Sequence, residues 1–215
     1  MALSRRLVKI GSPARKGNLL ARPNPRLAEI SDAALRVLAK EGARGLTHRG
    51  VDRMLAIAEG STSAYFRTRA QLLNSAANRL CELDLLDVHW MARSARARLE
   101  PVDAKYFAEL FAATFADWLS GRKRGRTLAR CELFLEATRD EQVRKIMART
   151  QRAFLLQTVN FFRAIGTRNA SRAAETFVDF ALGLLYGRAT SLSRHLSKKE
   201  LEELILRAVE SLAKT

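Results

Sequence analysis

Apolar residues recur at helical spacing along most of the chain, and these patterns define the predicted elements. Asn24-Pro25, suited to a helix start, and Gly42, suited to a helix end, bound a first helix with one apolar face. A longer helix is predicted from Arg69 to the residue before Pro101. Beyond it, the same spacing predicts helices over residues 103–119, 128–135, 140–165, 171–196 and 197–212. No stretch alternates apolar and polar residues as a strand does, so the sequence predicts an all-α fold.

The most specific local signal is the stretch THRGVDRMLAIAEGSTSAYFRTRAQLL, which begins at Thr47. Thr47 is an N-cap residue before a short amphipathic helix over residues 48–55. After a break, small hydroxyl residues open a second short helix over residues 60–66, and Thr68 with Gln71 forms a capping-box signature for the next. Two short helices across a tight turn predict a helix-turn-helix, and they bring the expected total to about nine helices.

At these residues the chain resembles the TetR family of bacterial transcriptional regulators. The family pattern is T-x-x-x-I/V-A-x-x-A-G-V, then a recognition helix ending in an aromatic pair, then x-S/T-K/R-x-x-L. The positions that follow it in order are Leu46-Thr47, Val51, Ile57, Gly60-Ser61-Thr62, Tyr65-Phe66, Thr68-Arg69 and Leu72-Leu73. A plain helical hairpin inside an all-α core is the alternative. Agreement of spacing, caps and charge favours the helix-turn-helix.

Three departures from the family pattern matter for DNA binding. Ala56 stands where the family usually has the turn glycine, so either the turn is less left-handed or Ala56 is strained. Ser63 replaces a tyrosine that commonly contacts phosphate. Glu59 suits the dipole of the recognition helix but would repel DNA phosphates.

The resemblance implies which residues face DNA. Arg69 falls on the family's basic phosphate contact, and Tyr65 can offer its hydroxyl to phosphate and its ring to a thymine methyl. Short Ser and Thr side chains let a helix enter the major groove while still bonding phosphates or base edges. The residues expected at DNA are Thr47, His48, Arg49, Ser61, Thr62, Ser63, Tyr65, Thr68 and Arg69.

The charge of the chain supports a polyanionic partner. The formal net charge is +16, and residues 1–80 hold 15 Lys/Arg against 5 Asp/Glu. An anionic membrane would attract the same charge, but no lipidation signal or apolar span accompanies it. Residues 1–24 carry no acid and are predicted to be a basic, disordered arm. This arm would either lie in a minor groove or act as a solvated tail.

We expect a DNA-binding domain over residues 25–80 and a larger helical ligand-binding and dimerisation domain over residues 81–215. The basic run Gly121 to Arg126 is interpreted as a loop within the second domain. In the TetR-like interpretation, the last two long helices pair with their copies into a four-helix bundle, although they could instead complete a monomer core. Candidate interface residues are Phe180, Gly183, Leu184, Gly187, Leu192, Leu201, Ile205 and Leu212.

An aromatic ridge in the second domain suggests a pocket for a mostly apolar small molecule. From the residues alone, rings at helical spacing are more often plain core. The resemblance reverses that preference, since such regulators commonly hold an inducer in this domain. Candidate pocket residues are His89, Trp90, Phe107, Phe111, Thr114, Phe115, Trp118, Phe134, Gln157, Asn160 and Phe161.

These features predict a cytoplasmic, homodimeric regulator that binds a palindromic operator on double-stranded DNA. We expect a repressor released by a small-molecule effector, with no cofactor, metal or membrane association. A sequence-blind architectural DNA binder is the first alternative. An all-α enzyme is a weaker one, because His48, His89 and His195 are far apart and no phosphate loop or nucleophile motif occurs. Cys81 and Cys131 are expected as reduced thiols.

Overall fold

The predicted all-α class is confirmed by a computed structural model, which describes residues 24–214. Within that range the chain forms eight α-helices and one 3-10 turn, Thr62–Ala64, and contains no strand. The helices are α1 (Pro25–Gly45), α2 (His48–Leu55), α3 (Arg69–Ala97), α4 (Ala104–Trp118), α5 (Gly121–Ala137), α6 (Glu141–Ala164), α7 (Ala170–Ala189) and α8 (Lys198–Ala213). The predicted arm over residues 1–24 lies outside the described residues except for Asn24.

Capping side chains set the starts of several helices. Asn24 accepts a hydrogen bond from the N–H of Arg26 at the start of α1. Thr68 and Ser197 each complete a capping box, with Gln71 and Glu200 as reciprocal partners. These caps lie where the sequence predicted them, because a cap depends only on residues within one turn of each other.

The basic run at residues 121–126 is the first part of α5, so the predicted loop is wrong. Glycine and cations are poor choices for the start of a helix. Tertiary ion pairs override that preference: Lys123 contacts Asp117, and Arg126 contacts Asp87 on α3. The run is therefore helical because acids from neighbouring helices neutralise it.

The penultimate helix is shorter than predicted, because α7 ends at Ala189 rather than near residue 196. The chain then reverses, with Ser191 at φ 59° and the N–H of Ser193 donating to the carbonyl of Gly187 at 3.0 Å. A Cβ atom on Gly187 would lie 2.7 Å from Ser193 Oγ. Gly187 thus admits the returning chain of its own molecule.

Two apolar cores share α3. The first lies under α1 and α2 and includes Leu38, Leu72 and Leu80, together with Leu133 of α5 and Ile146 of α6. The second is formed by α4, α7, α8 and the last half of α6, where phenylalanine rings stack on each other. Because α3 runs continuously through both cores, a tilt of α3 would change the packing in each of them.

Candidate nucleic-acid interface and internal cavity

The turn after α2 has a left-handed backbone at Ala56, with φ 53° and ψ 44°. Of the two expectations for this position, the strained alternative therefore applies. The N–H groups of Ala56 and Ile57 donate to carbonyls of the last turn of α2, Arg53 and Asp52 respectively. The turn directs the chain into residues 60–66, which we call the recognition segment.

The recognition segment is a single 3-10 turn rather than the predicted helix. Its start is held by the carboxylate of Asp52, which is fully buried on α2. One oxygen accepts from the N–H and hydroxyl of Thr62 at 2.9 and 2.5 Å, and the other accepts from the N–H of Gly60 at 2.8 Å. These bonds occupy the donors at the start of the segment and fix its direction.

The hydrogen bonds to Asp52 also control its ionisation. Burial by itself would raise the pKa of Asp52, but the bonds from Thr62 and Gly60 outweigh burial and hold the pKa below its usual value of 3.8. His48, one helical turn earlier on α2, adds a smaller electrostatic contribution in the same direction. Asp52 is therefore a carboxylate at neutral pH.

The end of the recognition segment is held by His48. Its Nε2 donates to the carbonyl of Phe66. His48 and Asp52 are one helical turn apart on α2, so a single helix face fastens both ends of the segment. His48 was expected to contact DNA, and this intramolecular bond occupies one of its two ring nitrogens.

The residues expected at DNA form a mostly exposed polar surface. Tyr65 is 44% exposed, while Thr62 is completely buried with its hydroxyl on Asp52. Thr62 consequently fixes the segment and has no free surface to contact DNA. The exposed members of the expected set are Thr47, Arg49, Ser63, Tyr65, Thr68 and Arg69, and the half-buried members are His48 and Ser61.

Two arginines of this surface have partners within the chain. Arg69 Nε and Nη2 donate to the carbonyls of Leu46 and Ala43. These bonds tie the start of α3 to residues 42–47, the end of α1 beyond its kink at Gly42 and the link to α2, which together we call the α1–α2 connection. Arg49 lies 3.4 Å from Glu59, with both side chains largely exposed. This pairing reduces the repulsion that Glu59 would otherwise exert on phosphate.

The same connection is held from the other side by Glu132 of α5. Glu132 Oε2 accepts the N–H of Ala43 at 3.0 Å and lies beside Gly42, whose φ is 69°. In the sequence, Glu132 and Glu136 are two acids one helical turn apart, and nothing near them in the chain indicates this partner. Its contact places α5 in direct hydrogen-bonded contact with the helix-turn-helix region.

A cavity lies between α3, α4, α5, α6 and α7. Its volume is about 50 Å³, far below the roughly 300 Å³ or more of a typical ligand pocket, so side chains nearly fill it in this state. Three predicted pocket residues line it: Phe115, Trp118 and Phe134. It is otherwise lined mainly by Val88, Phe154, Val178 and Leu185, with Asp84 and Arg130 on one wall.

The other predicted pocket residues lie elsewhere. Phe107, Phe111 and Phe161 belong to the solid ring cluster, with the first two stacked at 4.5 Å between centroids. Thr114 is buried and donates its hydroxyl to the carbonyl of Leu110. The remaining four residues are exposed or half-buried and do not line the cavity: His89, Trp90, Gln157 and Asn160.

The candidate dimer residues divide between surface and core. Leu201 and Ile205 are buried in the core that α8 forms within its own chain. Leu192 is 87% exposed on the loop after α7, and Gly183 is exposed with open space above it. The rest are half-buried or, for Leu184, buried: Phe180, Leu184, Gly187 and Leu212.

A family model for the tetracyclin repressor-like C-terminal domain matches residues 102–213, just over half of the chain. The chain belongs to the TetR family. A search of curated proteins finds no match to the sequence. TetR-family proteins are transcriptional regulators that bind DNA and small molecules and are not enzymes.

Solved structures of TetR-like fold resemble the chain over most of its length. A TetR-family transcriptional regulator from Rhodococcus sp. has 20% identity and a TM-score of 0.68, with 88% of this chain and 99% of that chain covered. A transcriptional regulator from Saccharomonospora viridis in complex with choline has 14% identity and a TM-score of 0.72 over 86% and 96%. The multidrug binding protein EbrR complexed with ethidium has 24% identity and a TM-score of 0.59 over 85% and 98%. These likenesses establish the fold.

In this TetR-family chain, sequence reasoning missed three residues that organise the site: Asp52, Glu132 and Arg130. Asp52 carried a usable signal, because it stands where the family pattern has a small apolar alanine. The sequence gives no such signal for Glu132 or Arg130, because their hydrogen-bond partners, Ala43 and Asp84, lie 89 and 46 residues away along the chain. Among the described residues, no group of three potential ligands is placed to hold a metal ion, and no helix has the length and apolarity to cross a bilayer.

Proposed function

We propose that this TetR-family chain acts in the cytoplasm as a homodimeric repressor that binds a palindromic operator on double-stranded DNA. The supporting observation is the recognition segment, whose two ends are fastened to α2 and whose outer residues are exposed and polar. The net charge of +16, concentrated in the first 80 residues, favours a polyanion. In this proposal residues 25–80 bind DNA, and residues 81–215 bind the effector and the second subunit.

Dimerisation follows from the small size of the recognition segment. One three-residue 3-10 turn reaches only a few base pairs, so useful specificity requires a second copy on an adjacent half-site. The open surface at Gly183 and the exposed Leu192 are available for contact with another chain. We expect half-site centres about 34 Å apart or somewhat more.

The effector in this proposal is a mostly apolar small molecule that enters the cavity beside α3. Because side chains nearly fill the cavity, a ligand must separate the helices around it. One of these helices, α3, continues directly into the helix-turn-helix region. The ligand releases DNA only if it prefers the DNA-free form. A tenfold loss of operator affinity requires about 1.4 kcal/mol of that preference.

Selection of binding sites from random DNA tests the operator proposal. We expect an enriched sequence with dyad symmetry and a dimer in sedimentation at binding concentrations. The architectural alternative predicts equal affinity for selected and random DNA. Footprints without dyad symmetry, or a monomer on DNA, would contradict the proposal.

Substitutions at the surface test which residues contact DNA. Tyr65→Ala is expected to weaken operator binding without unfolding the protein, because Tyr65 is exposed. Arg69→Ala should reduce the salt slope of binding by about one per monomer if its guanidinium also reaches a phosphate. Arg67→Ala, also exposed, is the matched control, since its side chain is not required to hold the α1–α2 connection. Loss of affinity with an unchanged salt slope would assign Arg69 a purely structural role.

A further inference from the structure

A buried ion pair forms one wall of the cavity and joins α3 to α5. Asp84 is 2% exposed and Arg130 is 5% exposed. The two carboxylate oxygens of Asp84 accept from Arg130 Nη2 at 2.7 Å and from Nε at 2.9 Å, which is a bidentate arrangement. Among the described residues, Asp84 is the only acid that lines the cavity, and the guanidinium of Arg130 engages both of its carboxylate oxygens.

The guanidinium of Arg130 also covers an aromatic face. Its central carbon lies 4.6 Å from the centroid of the Trp118 ring. The Trp118 ring in turn stacks with Phe115 at 5.9 Å. Ring faces beside a carboxylate are the chemistry with which proteins bind organic cations. The cavity wall thus combines a carboxylate with ring faces, and the guanidinium of Arg130 lies against both.

The charged side chains described along this wall are already paired with one another. Asp84 also faces Arg126 at 3.5 Å, and Asp87 contacts both Arg126 and Lys123. An entering cation would meet these side chains after losing its water, with no carboxylate free to compensate. An entering anion would have to displace Asp84 from Arg130. Burying an unpaired ion costs far more than burying an apolar group of the same size.

We propose that Arg130 fills the cation site of the cavity from within the chain, so that the effector is an uncharged apolar or aromatic molecule. This inference rests on the proposed function, in which the cavity is the effector site. Two of the three structurally similar proteins described above are complexed with choline and with ethidium, which are cations. This chain is expected to exclude such cations and to accept neutral molecules of the same shape.

Isosteric probe pairs test the selectivity directly. Each pair carries a tert-butyl group in one member and a trimethylammonium group in the other: dimethylbutanol with choline, and tert-butylbenzene with phenyltrimethylammonium. Calorimetric titration of the full-length chain should show binding of at least one neutral member. The cationic member of that pair should bind about 100-fold more weakly or not at all, because its charge has no partner.

Variants of the Asp84–Arg130 ion pair test whether this pair causes the selectivity for uncharged ligands. Arg130→Met leaves the Asp84 carboxylate beside the Trp118 ring, so affinity for phenyltrimethylammonium should rise about tenfold or more. The double variant Asp84→Asn/Arg130→Met is the matched control. It removes both charges and should retain neutral ligands without gaining the cation. Arg130→Lys keeps a cation in place and should keep the selectivity of the unaltered chain.

The outcomes are distinguishable. If the unaltered chain binds the cationic members as well as the neutral ones, the inference is overturned while the effector site stands. If no probe binds the unaltered chain or the double variant, both the inference and the effector proposal fail, and operator binding measured separately still tests the DNA proposal. If Arg130→Met does not fold, the selectivity of the unaltered chain and of Arg130→Lys decides the question.

Discussion

Ala56 holds a conformation that suits glycine better than alanine. Its φ of 53° and ψ of 44° lie in the left-handed region, where a Cβ atom costs about 1–2 kcal/mol. The position has no alternative conformation available, because the N–H groups of Ala56 and Ile57 both bond back to α2. The strain is therefore retained in the folded protein.

Ala56→Gly is expected to raise the free energy of unfolding by about 0.5–1 kcal/mol. Relief of the left-handed strain exceeds the extra entropy that glycine gives the unfolded chain. Urea unfolding measures the change. Ala58→Gly in the same turn is the control, since its φ is not positive, and it should leave stability unchanged or lower it. Equal stabilisation by both variants would contradict the assignment of strain to Ala56.

Asp52 and Thr62 give a second prediction at the level of single residues, and it depends on pH. The folded-state pKa of Asp52 lies below its usual 3.8, so its hydrogen bonds stabilise the fold above that pH and lose their effect as the pH falls through the folded-state value. Thr62→Val removes the hydroxyl donor while keeping the shape. We expect a loss of about 1–2 kcal/mol at pH 7.

The pH profile of Thr62→Val separates this charge effect from a packing effect. Urea midpoints of the variant and the unaltered protein should begin to converge as the pH falls below 3.8 and should meet only below the still lower folded-state pKa, where Asp52 takes up a proton in the folded protein. Ser63→Ala, which removes an exposed hydroxyl bonded locally to Gly60, should change little at any pH. A difference that stays constant with pH would indicate that Thr62 acts through packing alone.

At the level of elements, α5 and α3 hold the connection between α1 and α2 from opposite sides. Glu132 accepts the N–H of Ala43, while Arg69 donates to the carbonyl of the same residue. The helix-turn-helix is therefore attached to the rest of the chain by α5 as well as through the continuous α3. A shift of α5 caused by a ligand beside Arg130 would reach this connection within two turns of the helix.

Glu132→Ala is expected to lower stability by about 1 kcal/mol and to speed hydrogen exchange at the amide of Ala43. The substitution leaves a partly buried N–H without its acceptor. Glu136→Ala is the matched control one turn later on α5, because within residues 24–214 the carboxylate of Glu136 pairs only with the exposed Arg139. Unchanged exchange at Ala43 in the first variant would show that Glu132 does not hold the connection.

At the level of the whole molecule, the basic segment that precedes α1 in the sequence is predicted to add charge to DNA binding. Its six cations are Arg5, Arg6, Lys9, Arg15, Lys16 and Arg22. Deleting residues 1–22 should reduce the salt slope of operator binding by up to about five per monomer, because fewer counterions are released. We expect little change in the preferred sequence from site selection. Altered base preference at the flanks of the operator would instead indicate that the arm reads the minor groove.

Local signals in the sequence determined most of the helical framework. Caps such as Thr68 and Ser197, apolar periodicity and the stop before Pro101 involve residues a few positions apart, so each is complete in the sequence. The helix-turn-helix motif was likewise recognisable, because its spacing lies within about 27 residues of continuous chain. These features depend on residues that are close together in the chain, and they do not depend on the rest of the fold.

The tertiary structure alone decided how the recognition segment is held, where α5 begins and where the cavity lies. Asp52 holds the start of the recognition segment, which forms one 3-10 turn in place of the expected helix, and Asp87 pairs with a basic, glycine-containing run that is helical. The cavity lies at one end of the predicted aromatic ridge, where Phe115 and Trp118 line it, because Phe107 and Phe111 at the other end fill their own space by stacking. Each outcome depends on partners brought together by packing, such as Asp84 and Arg130, and spacing along the chain carries no information about such pairs.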